Sequence, residues 1–204
     1  MTRLLLASRS RGKVAEFRSL LASANVEVVT PDDIGLPEHP DEQGLEAFDT
    51  FVDNARAKAT WFAQRSGLPA LADDSGLVVD ALNGAPGVWS KRFAGVDGPD
   101  HEVTSANNRA LLSRLREVPI DRRGAQYRCV LVLAWPDGRE LVAEGSTRGR
   151  IGMAPEGTGG FGYDPLFVSD DLGVTFGVAT PADKARVSHR GRAVVALRRE
   201  WPWG

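Results

Sequence analysis

This chain has almost no cysteine: Cys129 is the only one among its 204 residues. A single cysteine excludes a disulfide within the chain and is typical of a protein kept in a reducing compartment. Because Cys129 lies in an apolar, strand-like stretch, we interpret it as a small buried hydrophobic residue rather than as a nucleophile. The chain also lacks a charge excess of one sign, with 25 Lys and Arg against 27 Asp and Glu. That balance excludes a broad surface for nucleic acid.

Long hydrophobic runs are absent as well. The N-terminal run Leu4–Ala7 is too short for a signal peptide or a membrane span. We therefore expect a cytoplasmic protein with no membrane partner. The length and the lack of repeats or linkers favour one domain over residues 1–204.

Strand-like and helix-like segments alternate through the first half of the chain, and a hairpin follows in the second half. The predicted strands are 3–7, 26–29, 69–72 and 77–79, with the hairpin over 126–144. The predicted helices contain the apolar spacing of residues 14–21, begin at the cap Thr50-Phe51-Val52-Asp53, and cover about 100–116 and 192–199. This order predicts an α/β fold with a mixed, twisted central sheet flanked by helices.

The segment Ser8-Arg9-Ser10-Arg11-Gly12-Lys13 connects the first strand to the first helix. Hydroxyls, free N–H groups at a helix start and Lys13 are suited to hold phosphates. The segment is not a P-loop, because Ala7 replaces its first glycine and Val14 its metal-binding hydroxyl. These two differences disfavour a P-loop kinase or ATPase. The alternative for this segment is a basic turn that ends in a solvated lysine.

Asp73 and Asp74 follow an apolar strand and precede the flexible pair Ser75-Gly76. Adjacent carboxylates there can hold Mg²⁺ and orient water, and Mg²⁺ suits phosphate substrates. Glu46 is a possible third carboxylate, although taken alone it is one of many acids in a solvated loop. Lys58 lies one helical turn after Asn54, so both are on the same face of the predicted helix. Our default interpretation is that this face is exposed to solvent. It would face phosphate only if acids and lysines converge there.

Two stretches near the C-terminus are suited to a flat, oxygen-rich ligand. In Gly157-Thr158-Gly159-Gly160-Phe161-Gly162-Tyr163-Asp164-Pro165 the glycines permit close backbone approach, and Phe161 offers a planar face. The exit through Pro165 is extended, which disfavours a dinucleotide-binding helix. Ser188-His189-Arg190-Gly191 places three polar donors in succession. A mobile surface loop is the alternative for the glycine-rich stretch.

Together these stretches, in this order along the chain, resemble the non-canonical purine nucleoside triphosphate pyrophosphatases (inosine/xanthosine triphosphate pyrophosphatases). The similarity includes Thr50-Phe51-Val52-Asp53-Asn54-Ala55, Ala72-Asp73-Asp74-Ser75-Gly76-Leu77 and Gly84-Ala85-Pro86-Gly87. It implies Mg²⁺-dependent hydrolysis of ITP, dITP and XTP to the monophosphate and pyrophosphate. It also implies a homodimer of two-lobed α/β subunits with an active-site cleft between the lobes.

The resemblance also implies roles for individual residues. Asp74 would bind metal and activate water with Asp73 beside it, and Glu46 would be the second metal ligand. Phe161 would stack on the purine, and Lys184, His189 and Arg190 would donate to its 6-oxo group. The full implied set of substrate contacts is Ser8, Arg9, Ser10, Arg11, Gly12, Lys13, Lys58, Ser75, Phe161, Gly162, Tyr163, Asp164, Lys184, Ser188, His189 and Arg190.

Some positions depart from the family pattern. Ser8 and Ser10 stand where Thr and Asn are usual, and the shorter Ser10 lacks an amide donor. Phe48 stands where a glycine follows the metal-binding glutamate, so a shifted alignment would make Glu42 the ligand instead of Glu46. Two other functions stay open: a Maf-like pyrophosphatase for modified pyrimidine triphosphates, whose N-terminus Ser8-Arg9-Ser10 also resembles, and a catalytically silent nucleotide sensor.

Overall fold

The computed structural model describes residues 2–203 and contains a mixed six-stranded sheet with helices. The strand order is β2-β1-β3-β4-β5-β6; β1 pairs in parallel with β2 and β3, and β5 pairs antiparallel with β6. The strands are β1 (Thr2–Leu6), β2 (Val26–Val29), β3 (Ala70–Val79), β4 (Gly124–Ala134), β5 (Glu140–Ile151) and β6 (Phe167–Ser169). The helices are α1 (Arg11–Leu20), α2 (Phe51–Ser66), α3 (Asp100–Arg114), α4 (Pro181–Val187) and α5 (His189–Leu197). The predicted α/β class with a mixed sheet is confirmed.

The chain forms two compact units whose boundaries fall inside β3, β4 and β5 and after the first residue of α5. The first unit contains the described residues up to Asp74, Cys129–Gly145 and the described residues from Arg190 onward. The second unit contains Ser75–Arg128 and Ser146–His189. The prediction of one domain over residues 1–204 stays a prediction.

The core of the first unit forms because α1 presents apolar residues at helical spacing. Phe17 of α1 and Leu21, the residue that caps its C-terminal end, are almost fully buried and pack with Leu4 and Leu6 of β1. Cys129 belongs to the same core, which agrees with its interpretation as a buried hydrophobic residue.

The core of the second unit is rich in aromatic rings. Tyr127 on β4 contacts Phe167 on β6, with ring centroids 4.7 Å apart, and stacks parallel to Phe176. Leu111 of α3 belongs to this cluster, and so does Leu115, which caps the C-terminal end of that helix one turn later. Within residues 2–203, no helix is long and apolar enough to cross a membrane.

Several predicted boundaries are wrong. The Asp73-Asp74 pair lies within β3, which runs without a break from Ala70 to Val79, and not at the end of a strand. This strand is buried at most positions on both faces, so it has none of the polar alternation that marks a half-exposed strand. Asp100 is the first residue of α3 rather than its cap, and α5 begins at His189, earlier than predicted.

Strand β6 and helix α4 were not predicted from the sequence. The signal for α4 is present, because Thr180 caps the helix by accepting from the Asp183 N–H and Pro181 occupies its first position. The three residues of β6 are too few to show a periodic pattern.

Candidate active site

A buried ion cluster surrounds Asp73 in the first unit. Lys13 Nζ lies 3.0 Å from Asp73 Oδ1, and Arg190 Nε donates to Asp73 Oδ2 at 3.2 Å. Arg190 Nη1 also donates to Glu16 on α1 at 3.0 Å. Burial raises the pKa of Asp73, but the charges of Lys13 and Arg190 outweigh it and hold that pKa far below its ordinary value. Asp73 is therefore an ion-paired carboxylate that orients two cations.

Lys58 reaches the same cluster from α2. Its Nζ donates to Glu46 Oε1 and, at 2.6 Å, to the Asp73 carbonyl oxygen. Burial lowers the pKa of Lys58, yet the charges of Glu46 and Asp73 outweigh that effect and raise it. The default interpretation of a solvated face is therefore wrong, because Lys58 is buried and converges with the acids.

Asp74 has a different environment from its neighbour. Its Oδ2 accepts from Asn54 Nδ2 at 2.9 Å, and Asn54 also bonds the backbone N–H and C=O of Phe48. Burial raises the pKa of Asp74; Lys58 opposes this, and the negative charge of Glu46 adds to it. Two adjacent acids thus have pKa values shifted in opposite directions, which is typical of carboxylates with separate roles.

The donors around Asp74 fit a magnesium ion. Within residues 2–203 no group of three or more His, Cys, Asp or Glu side chains is arranged as a ready metal cage. Mg²⁺ does not need one, since it keeps several waters and commonly uses one or two carboxylates plus substrate phosphates. Burial is the main cause of the raised pKa of Asp74, and the negative charge of Glu46 adds to it; a cation bound there would offset both effects. The donor set is therefore suited to Mg²⁺.

Glu42, the alternative metal ligand, is engaged elsewhere. Both of its carboxylate oxygens accept from Arg9, at 3.0 and 2.9 Å, and Oε1 also accepts from the His39 N–H. Burial raises the pKa of Glu42, but the Arg9 hydrogen bond and the His39 N–H outweigh it and lower that pKa. Arg9 is thus turned toward Glu42.

The rest of the predicted phosphate segment lies around the start of α1. The Ser10 N–H donates to Ser8 Oγ at 3.2 Å, and Arg11 is exposed. Within residues 2–203 the side chain of Ser10, the N-cap residue, makes no capping hydrogen bond. The Ser10 side chain therefore does not occupy the first N–H groups of α1. An anion that binds at the start of a helix needs such N–H groups as donors. Gly12 lies in the same turn, and Ser75 lies half-buried on β3.

A second group of predicted residues surrounds Lys184 in the second unit. Asp164 Oδ2 accepts from Lys184 Nζ and from the Phe161 N–H, both at 2.7 Å. Lys184 Nζ lies 5.0 Å from the centre of the Phe161 ring. Gly160 makes this turn possible: its φ is +69°, and a Cβ there would lie 2.1 Å from Asp164 Oδ2. These contacts connect the end of the glycine-rich loop at residues 161–164 to Lys184 of α4.

His189 is oriented by an aromatic neighbour in the same unit. Its ring stacks on Tyr127 at 4.6 Å with planes 10° apart. Tyr163 is buried, its hydroxyl donates to the Ser90 carbonyl at 2.8 Å, and Asn108 Nδ2 donates to the Gly162 carbonyl. Ser188 is buried as well, just before α5.

Within each unit the structure brings some of the predicted residues together, while Ser8, Arg9, Ser10, Arg11 and Gly12 lie around the start of α1. The first group is Lys13, Glu46, Lys58, Asp73, Asp74 and Arg190, and the second is Phe161, Gly162, Tyr163, Asp164, Lys184, Ser188 and His189. Arg190 contacts Asp73 and Glu16, and its predicted contact with a base stays a prediction. Roles for Glu16 and Tyr127 were not predicted from the sequence. Asn54 was noted for its spacing from Lys58, but its hydrogen bond to Asp74 was not predicted.

Comparison with known proteins places the chain in a family. The Ham1 family model matches residues 4–200, and this chain belongs to the Ham1 family. It is 49% identical over 197 residues to the dITP/XTP pyrophosphatase of Nocardia farcinica, covering 95% of this chain and 92% of that protein. It is 45% identical over 201 residues to the dITP/XTP pyrophosphatase of Streptomyces coelicolor, covering 97% and 96%.

Solved structures agree with this assignment. A HAM1 protein from Coxiella burnetii superposes with a TM-score of 0.83 at 35% identity, covering 98% of both chains. A nucleoside-triphosphatase / dITP/XTP pyrophosphatase from Mycobacterium abscessus has a TM-score of 0.72 at 43% identity, covering 96% of this chain and 98% of that one.

Proposed function

We propose that this chain hydrolyses non-canonical purine nucleoside triphosphates, namely ITP, dITP and XTP, to the monophosphate and pyrophosphate. The observation that carries the proposal is the similarity, over nearly the whole chain, to relatives named dITP/XTP pyrophosphatases. The buried cluster of Lys13, Lys58, Asp73 and Asp74 supports it, because a silent nucleotide sensor has no need of two carboxylates with divergent pKa values. A Maf-like pyrophosphatase is not favoured by these relatives.

In this proposal the first unit holds the triphosphate. The N–H groups at the start of α1 and the ammonium of Lys13 bind phosphate oxygens, with Ser8, Ser10 and Gly12 beside them. Lys13 is oriented by Asp73, and Lys58 carries a second positive charge close by. Opposite charges fixed in place before the substrate arrives need no rearrangement when negative charge develops during phosphoryl transfer.

Asp74 and Glu46 would hold the magnesium ion. When bound, Mg²⁺ neutralises phosphate charge and polarises the phosphorus centre that is attacked. Lys58 keeps Glu46 ionised, since the pKa of Glu46 lies below its ordinary value despite burial. Asn54 fixes the orientation of the Asp74 carboxylate.

Asp74 is the proposed general base. The Asp73 carboxylate is ion-paired with Lys13 and Arg190, which makes it a weak proton acceptor, whereas the Asp74 carboxylate accepts from the neutral amide of Asn54. Asp74 takes a proton from water as the water oxygen bonds to the α-phosphorus. The bond from the α-phosphorus to the bridging oxygen then breaks, and pyrophosphate leaves.

Base recognition is assigned in this proposal to the residues that the family resemblance names for it. Phe161 stacks on the purine, and Lys184 and His189 donate to the 6-oxo group, with Arg190 as a further candidate donor. Tyr127 fixes the plane of the His189 ring, and Asp164 fixes Lys184. The 6-amino group of adenine offers these donors no acceptor, so ATP would leave buried donors unpaired.

Two further properties complete the proposal: the protein is a homodimer, and it acts in the cytoplasm. The first is supported by the family resemblance and tested by light scattering on the purified chain. The second is supported by the substrate, since nucleoside triphosphates are made and used in that compartment.

A panel of nucleoside triphosphates assayed for pyrophosphate release, with Mg²⁺ and with EDTA, tests the function. We expect turnover of ITP and XTP well above that of ATP, and none in EDTA. Preference for modified pyrimidine triphosphates would establish the Maf-like alternative, and nucleotide binding without pyrophosphate release would establish the sensor.

A further inference from the structure

Arg9 organises a segment of the first unit that no sequence motif connects to it. Its Nε and Nη2 donate to the two carboxylate oxygens of Glu42, at 3.0 and 2.9 Å. Nη2 also donates to the Leu36 carbonyl at 3.2 Å, and Nη1 donates to Asp32 Oδ1 at 2.7 Å. One guanidinium thus bonds three points of residues 32–46, which we call the acidic segment.

The segment leads directly from Glu42 to Glu46. Glu42 belongs to the 3₁₀-helix Pro40–Gly44, and the Leu45 N–H donates to the Glu42 carbonyl at 3.3 Å. Glu42 also accepts from the His39 N–H, which closes the start of the same short helix. Fixing the Glu42 carboxylate therefore fixes the turn that ends immediately before Glu46.

Glu46 is held from its other side as well. Asn54 bonds both the N–H and the C=O of Phe48, two residues further on. Glu46 accordingly lies on a short span between two anchors, Arg9 acting through Glu42 and Asn54 acting through Phe48. Its own carboxylate accepts from Lys58 between them.

We propose that Arg9 is a positioning residue: it orients the acidic segment so that the Glu46 carboxylate is in place for a divalent cation, and it does not contact the substrate. The inference rests on the proposed function in one respect, the role of Glu46 as a metal ligand. Four hydrogen bonds of Arg9 go to the acidic segment, so a phosphate contact would require displacement of Glu42. A lysine cannot replace Arg9, because an ammonium lacks the planar fork that a bidentate pair needs.

The test uses Arg9→Ala and Arg9→Lys, with Arg18→Ala as the matched control. Arg18 Nη2 donates to Asp33 in the same segment at 2.7 Å, but this pair is half-exposed and does not touch Glu42. Binding of Mn²⁺ to the nucleotide-free protein is measured by electron paramagnetic resonance, and hydrogen exchange is followed over residues 37–46. The Mg²⁺ dependence of ITP turnover and KM for ITP at saturating Mg²⁺ are measured in parallel.

We expect both Arg9 variants to bind Mn²⁺ about 10-fold more weakly or worse, as for residues that orient a metal ligand. Faster exchange over residues 37–46 should accompany the loss, and Arg18→Ala should match the unchanged protein. The direction is diagnostic, because removing a positive charge near a cation site would by itself strengthen Mn²⁺ binding. Arg9→Lys keeps that charge and serves as the second variant if Arg9→Ala does not fold.

Unchanged or tighter Mn²⁺ binding in Arg9→Lys, together with a raised KM for ITP at saturating Mg²⁺, would overturn the proposal and make Arg9 a phosphate contact. Failure of the proposed function looks different, since the unchanged protein would then release no pyrophosphate from ITP or XTP. The Mn²⁺ and exchange measurements do not depend on that activity.

Discussion

At the scale of single residues, the environment separates two adjacent aspartates. Asp73 lies between Lys13 and Arg190, and its pKa is far below the ordinary value. Asp74 lies beside Asn54 and Glu46, and burial raises its pKa. The sequence shows only two neighbouring acids. Their pKa values differ because of partners that lie up to 117 positions away along the chain. Such partners are set by the fold and have no local signal.

Asp74→Asn should preserve the fold while removing the proposed base. The two side chains are nearly isosteric, and only the charge is lost. We expect kcat for ITP to fall by at least about 10²-fold, in line with the loss of a general base. Steady-state kinetics measure this loss, and circular dichroism checks the fold. A purified, folded variant with near-normal kcat would exclude Asp74 from the chemistry.

Glu46→Gln should raise the Mg²⁺ concentration needed for half-maximal activity, because one oxygen ligand loses its charge. The matched control is Asp49→Asn, which neutralises an exposed acid three residues away. Activity is titrated with Mg²⁺ at saturating ITP in both variants. An identical Mg²⁺ requirement in the two proteins would remove Glu46 from the metal site.

At the scale of elements, the helices and strands that could be predicted are those that a local sequence pattern specifies, such as apolar spacing or a capping residue. The apolar spacing of α1 and the capping threonine of α2, whose hydroxyl accepts from the Asp53 N–H, specify both helices. β3 lacks such a pattern: Ser75 and Gly76 interrupt an apolar stretch, yet the strand continues because its polar residues find partners inside the fold. The site followed the same rule: the motif residues were predicted from the sequence, whereas the contacts by which Asn54 orients Asp74 and Tyr127 orients His189 were not.

The glycine-rich loop gives a prediction at this scale. Gly160→Ala places a Cβ at 2.1 Å from Asp164 Oδ2, so the turn that brings Asp164 to Phe161 and Lys184 cannot form unchanged. We expect KM for ITP to rise clearly. Gly173→Ala is the control, because Gly173 has the same left-handed φ, +70°, but nothing within 4 Å of the added Cβ.

The control should cost only about 1 kcal/mol of unfolding free energy, the backbone strain of a left-handed alanine, and should leave KM unchanged. Urea unfolding and ITP kinetics on both variants provide the comparison. Equal KM values in the two variants would show that strain alone, and not the contact with Asp164, explains the need for glycine at position 160.

At the scale of the whole molecule, the near absence of cysteine makes Cys129 a reporter of the fold. The thiol is buried in the core of the first unit, together with Leu4, Leu6 and Phe17. Burial raises its pKa well above the ordinary value, and the negative charge of Asp73 adds to this rise. The reactive thiolate is therefore disfavoured at neutral and mildly alkaline pH for as long as the protein stays folded.

We expect the native protein at pH 8 to react negligibly with a thiol-specific disulfide reagent, and the protein in urea to release one equivalent per chain. The onset of labelling along a urea series should coincide with the loss of circular dichroism, since only unfolding exposes the thiol and restores its ordinary pKa. Glutathione at the same pH gives the rate of an unhindered thiol. Rapid stoichiometric labelling in native buffer would mean that the core around Cys129 opens without global unfolding, which contradicts its packing in the centre of the first unit.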